Sequence, residues 1–152
     1  MSRPPDAALE RGFRLAYPAG LLLCVAWPLA LQVLLGRAIR PDPDPPSGLV
    51  QELGYTFSGL TVASAWFVAR RWSRVRDSFR TVAAPRRGRV LARETLAYSL
   101  LFVCSSLFGL VYYALGGPHP ERYARGFIAL TTVMFFVFVP RLQAWRKAAR
   151  EE

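Results

Sequence analysis

Apolar residues along the chain gather into four stretches, at residues 15–36, 49–69, 95–115 and 125–140, and the charges gather between them. Each stretch is near the length that crosses a hydrocarbon core of about 30 Å at about 1.5 Å per residue. The first two are joined by residues 37–48, whose four prolines forbid a helix. The last two are joined by residues 116–124, rich in Gly and Pro. The pattern predicts an all-α membrane protein of one domain over residues 1–152. Its four transmembrane helices would form an antiparallel bundle of two hairpins.

Between the hairpins lies a basic loop over residues 70–94, with nine arginines against Asp77 and Glu94. Trp72, Val75, Phe79 and Val82 recur in it at three- and four-residue spacing. That spacing predicts an amphipathic helix lying in the headgroup region, ended by Pro85 and Gly88. Arg70, Arg71, Trp72, Arg74, Arg76, Arg80, Arg86, Arg87 and Arg89 are the expected contacts to anionic lipid headgroups or an acidic partner.

Charge orients the bundle. With both termini inside, sixteen of the twenty basic residues lie on the inner side, and the four outer ones are balanced by Asp42, Asp44, Glu52 and Glu121. The whole formal charge of +10 then falls inside, as the positive-inside rule requires. The expected location is a bacterial inner membrane with both termini cytoplasmic. Once the spans are removed no soluble module remains to carry nucleic-acid binding.

Within the spans, Pro18 is placed in the first turn of the first helix, where its missing N–H costs little. Pro28 falls mid-span and should kink the helix, freeing a carbonyl near Cys24 that a neighbouring helix must cover. Gly54/Ser58, Gly59/Ala63 and Ser105/Gly109 are small-xxx-small pairs, expected to let helices pack closely. Cys24 and Cys104 read as small packing residues with no CxxC spacing. Tyr112 and Tyr113 suit the outer interface, and Trp145 in the charged tail suits the inner one. Leu15-Ala16-Tyr17 matches Leu96-Ala97-Tyr98, and Leu60-Thr61 matches Leu130-Thr131. These matches fit a parallel internal duplication, although chance matching of apolar helices is the favoured explanation.

Chemistry is sparse. None of the four spans carries an ionisable residue in its interior, which argues against a proton or sodium relay. Glu52 and Glu94 stand at span boundaries and read as capping or arginine-pairing groups. His119, the one histidine, lies in an outer loop and reads as solvated. Cys104, Ser105 and Ser106 have no base to activate them. No P-loop, dinucleotide or zinc spacing is present, so no catalytic residue, metal or cofactor is expected.

Two functions remain. The favoured expectation is a non-catalytic accessory or assembly subunit of a larger membrane complex, partnered by membrane lipids and by other membrane subunits or itself. The alternative is a small homo-oligomeric channel or carrier for a neutral solute or anion, with Thr61, Ser64, Ser106 and Thr131 among its candidate pore-lining residues.

Overall fold

The computed structural model describes residues 6–35, 37, 48–115 and 121–150, and among them the chain is helical throughout with no strand. The first rod consists of α1 (Asp6–Leu21), a wider π-helical turn (Leu22–Ala26) and α2 (Trp27–Leu34). After it come α3 (Leu49–Phe79) and α4 (Ala84–Leu115). Then α5 (Glu121–Phe138) leads through a short break at Pro140 into α6 (Leu142–Arg150). Three stretches, Ala7–Leu34, Ala84–Leu115 and Glu121–Arg150, are long and apolar enough to cross a membrane. With 31 residues α3 has the length, but Gly54, Thr56, Ser58, Gly59, Thr61 and Ser64 dilute its apolar run. The loop residue His119 and most of the proline-rich segment between the first two stretches lie outside the described residues.

The first helix starts at Asp6, well before residue 15, so Pro18 lies inside it and not in its first turn. The early residues Ala7, Ala8 and Leu9 are good helix formers, and Leu9 has a buried surface to find. Pro28 acts as expected: it follows the π-helical turn, and its missing N–H leaves the carbonyl of Cys24 without a helical donor. Thr132 on α5 supplies one, its Oγ1 donating to that carbonyl at 2.7 Å.

Directions follow from the residues that meet. Gly12 lies against Gly88 and the Cys24 thiol donates to the Ser99 carbonyl at 3.3 Å, so α1 and α4 run parallel. Phe57 stacks on Phe108, while Arg71 reaches Glu94 farther back along α4, so α3 runs against α4. Ser106 meets Thr131, and Gly109 meets Ala124, so α5 does too. Helix α4 is thus the centre, touching α1, α3 and α5, whereas α3 meets α1 and α2 through side chains in the clusters toward its two ends. The first hairpin is open and the second is closed, an arrangement that differs between the halves.

What brings α1 and α4 together is a ladder of small residues. Ala8, Gly12, Ala16, Gly20 and Cys24 recur every four residues, which places them on one face of α1. A Cβ added at Gly12 would collide with the carbonyl of Gly88, and one added at Gly88 with the carbonyl of Ala8. At Gly20 it would come within 2.7 Å of Ser99 Oγ and of a Phe135 ring carbon. Gly109 serves α4 and α5 in the same way, its Cβ position lying 2.6 Å from the Ala124 carbonyl oxygen.

At the basic end, a second kind of contact closes the bundle. Leu9, Phe79, Leu91, Trp145 and Ala148 form a buried cluster joined by Phe13, Trp72 and Val75. Trp145, fully buried, meets Trp72 edge-on at 4.7 Å and Phe79 at 4.9 Å between ring centroids. The basic run is therefore not one in-plane helix. It is divided among the last turns of α3, a turn at residues 80–83 and the first turns of α4, which Pro85 begins in place of ending a helix. Trp72, Val75 and Phe79 do share a face, but that face is turned to α6 and α1. Trp145 is likewise a core residue and not an interfacial anchor, because α6 folds back against α1 and the end of α3.

Candidate functional site

Two features of α3 stand apart from the rest of the bundle: a buried ionic cluster at its basic end and a bare outward face. The cluster centres on Glu94, which is 1% exposed at the boundary between the charged first turns of α4 and its apolar part. Arg71 of α3 grips it with both arms of its guanidinium, Nε to Oε2 at 2.6 Å and Nη2 to Oε1 at 2.7 Å. Arg93 adds a third contact, Nη2 to Oε1 at 3.1 Å. Tyr98 lies one turn on, its hydroxyl near the carboxylate but without a hydrogen bond of good geometry. Two guanidinium groups on a buried carboxylate stabilise its charged form. Of the boundary acids, Glu94 thus pairs with arginine, and it pins α3 to α4.

Several of the remaining basic residues make contacts within the chain. Arg87 donates to the carbonyls of Val82 and Arg80 at 3.0 Å each, closing the open end of α3. Arg76 pairs with Asp77 at 3.4 Å. Arg70 is exposed, its guanidinium 5.3 Å above the exposed Trp66 ring. Arg74, Arg80, Arg86 and Arg89 are exposed as well. Trp72 belongs to the aromatic cluster already described.

The expected packing pairs also divide. Ser105 Oγ donates to the Phe127 carbonyl at 2.9 Å, and Gly109 admits α5. Gly54 faces Tyr112, its Cβ position 3.4 Å from the phenol oxygen. Ser58, Gly59 and Ala63, by contrast, are exposed, and the space outside Gly59 is open. They lie among other exposed groups of α3, notably Tyr55 at 72%, Val62 at 69% and Trp66 at 62%. Between the far end of α3 and α5 there is a cleft of about 360 Å³, lined by Gln51, Tyr55, Ser58, Tyr112 and Tyr123. Helix α3 is clamped at its basic end, and at the other it packs through Val50, Leu53 and Phe57 beside this cleft.

Three of the candidate pore-lining residues are engaged in hydrogen bonds within the chain. Ser106 and Thr131 hydrogen-bond each other at 2.7 Å, and Thr131 also faces the Phe102 carbonyl at 3.1 Å, all buried. Ser64 donates to the carbonyl of Leu60 on its own helix at 2.8 Å. Thr61 is buried, its hydroxyl unpaired among the described residues.

The α1 ladder and the Thr132 contact were not among the expected packing positions. The four-residue recurrence from Ala8 to Cys24 is visible in the sequence, but it begins outside the apolar stretch and escapes a search confined to it. Among known proteins, no family model, curated relative or solved structure matches this chain.

Proposed function

We propose that the chain is an integral inner-membrane protein that crosses four times, with both termini cytoplasmic. In this reading it is a non-catalytic accessory or assembly subunit that docks on a larger membrane complex through α3. The observation that supports it is an inversion: the least apolar of the long helices is the one most exposed. Helices packed in lipid turn small and polar residues toward other helices. Helix α3 turns Ser58, Gly59 and Ala63 outward, with open space at Gly59. A second helix fits such a face, because small residues let backbones approach closely. Helix α3 runs beside α4 from Phe57 to Arg71, so a bilayer crossed by α4 is crossed by α3 too.

The orientation rests on the basic end, where both hairpins return and where the positive-inside rule places the cytoplasm. Hydroxyls elsewhere in the bundle are engaged as glue between helices, as at Ser105, Ser106, Thr131 and Thr132. That use favours an assembly role over a conduit. The test is purification of the tagged chain in mild detergent at native expression, with the particle mass and co-purifying chains identified. A stoichiometric larger partner is the expected result. A clean homo-oligomer that conducts solute in liposomes would replace the proposal with a channel.

A further inference from the structure

A small hollow flanks the inner end of α3. Phe67, Arg70, Arg71, Arg74 and Val75 enclose about 80 Å³ of it, roughly the room of two or three waters. That is room for a single tetrahedral oxyanion. Phe67 and Val75 give it an apolar wall, and the three guanidinium groups give it charge of one sign.

The charges in the hollow are not balanced from within the protein. Arg71 is committed to Glu94, which it shares with Arg93, so two cations already meet one carboxylate there. Arg70 stacks on Trp66, a contact that fixes the guanidinium without neutralising it. Among the described residues Arg70 and Arg74 have no acidic partner. Elsewhere in the basic run Arg76 has Asp77 and Arg87 has two backbone carbonyls. Arg86 and Arg89 likewise show no ion pair among the described residues, and what sets Arg70 and Arg74 apart is that they line the hollow.

Depth selects the source of the anion. Trp66 and Phe67 are exposed, and the charged turns of α3 begin at once after them. Aromatic rings followed by arginines mark the level where acyl chains give way to headgroups. Above the hollow, small exposed Gly59 and Ala63 alternate on α3 with exposed Val62 and Trp66.

We propose that Arg70 and Arg74, with Arg71 behind them, bind the phosphate of one anionic phospholipid headgroup at the inner leaflet. Two forked guanidinium groups can each present paired N–H donors to phosphate oxygens, which a diffuse basic surface does not. The site deepens the membrane reading above and rests on it. A lipid held there would lie beside the outward face of α3 at the edge of the docking surface.

The test is native mass spectrometry of the intact protein in detergent, titrated with phosphatidylglycerol, with phosphatidylcholine of the same chains, and with inorganic phosphate. Flotation with liposomes is read first. A protein that fails to float falls with the membrane reading, whereas one that floats and retains no phosphatidylglycerol refutes this site alone. The expected result is one phosphatidylglycerol retained in preference to phosphatidylcholine. R70Q and R74Q should each weaken retention about fivefold, the worth of one basic residue at a lipid surface. R86Q and R89Q, which remove the same charge elsewhere in the run, should change it by less than about twofold. R70K with R74K should recover part of the loss, since lysine keeps the charge without the fork. Unchanged thermal unfolding of the variants excludes misfolding as the cause.

Equal losses for both pairs of glutamine variants would mean a diffuse basic surface and overturn the proposal. Inorganic phosphate competing as well as the lipid would reassign the hollow to a soluble oxyanion. If R70Q and R74Q spare lipid retention but release a stoichiometric acidic protein, the hollow belongs to that protein.

Discussion

Helix α1 and helix α3 both lie along α4, yet they are held by opposite means. Helix α1 meets α4 backbone to backbone along a ladder of small residues, sealed by Cys24, Ser99 and Thr132 at mid-depth. Helix α3 is clamped at one end, by the Arg71–Glu94 pair and by Trp72 and Phe79 against Trp145. Toward its far end it rests on Phe57 and Gly54 and then opens into a cleft. Both helices carry small residues at four-residue spacing. Those of α1 are spent inside the chain, whereas Gly59 and Ala63 of α3 are unspent. The lesson is that small-xxx-small spacing reports where a backbone can be approached, not which backbone does so.

Removing the clamp should have the largest effect. Trp145→Ala empties the centre of the basic-end cluster and should cost about 3–5 kcal/mol. Limited proteolysis would show cleavage near the turn at residues 80–83 rising well before the α4–α5 contact is lost. Next in size is the glycine contrast. Gly88→Ala forces a methyl group into the backbone of α1 and should cost about 1–3 kcal/mol or more. Gly59→Ala meets open space and should be neutral or stabilising by up to about 1 kcal/mol. Thermal unfolding of the two variants side by side gives the comparison, and equal losses would break it.

The arginines offer a smaller contrast. Arg71→Ala leaves the buried Glu94 with Arg93 as its one remaining partner and should cost about 1–3 kcal/mol. Arg74→Ala, at an exposed residue with no ion pair, should stay within about 0.5 kcal/mol. Smallest of all, Thr132→Val removes the donor to the Cys24 carbonyl. It should cost about 0.6 kcal/mol, the average for a hydrogen bond between membrane helices, detectable as a modest fall in unfolding temperature.

Much of the fold is legible in the sequence, because helices near membrane length need long apolar runs and three such stretches stand where the runs stand. The break in the regular helix before Pro28 and the covering of the Cys24 carbonyl by a neighbour follow from the chemistry of proline alone. Partners are less legible. The spacing of Trp72, Val75 and Phe79 identifies an apolar face, but lipid and a folded-back α6 satisfy that face equally well. Pro85 illustrates the same limit, since proline both ends a helix and begins one. Glu94 as a partner of arginine is readable from its position beside Arg93. Its bidentate capture by Arg71, twenty-three residues earlier, depends on α3 running straight to Phe79 and turning tightly. Nothing local in the sequence encodes the cleft that flanks the far end of α3.

The proposed docking role requires that the exposed face of α3 be covered by another protein's helix. A photoreactive residue placed at position 59, with a control at the exposed Leu29 of α2, tests it in native membranes. One discrete protein adduct of fixed mass is expected from position 59 and only lipid adducts from position 29. Lipid adducts alone from both positions would contradict it and leave α3 as a helix that faces the bilayer.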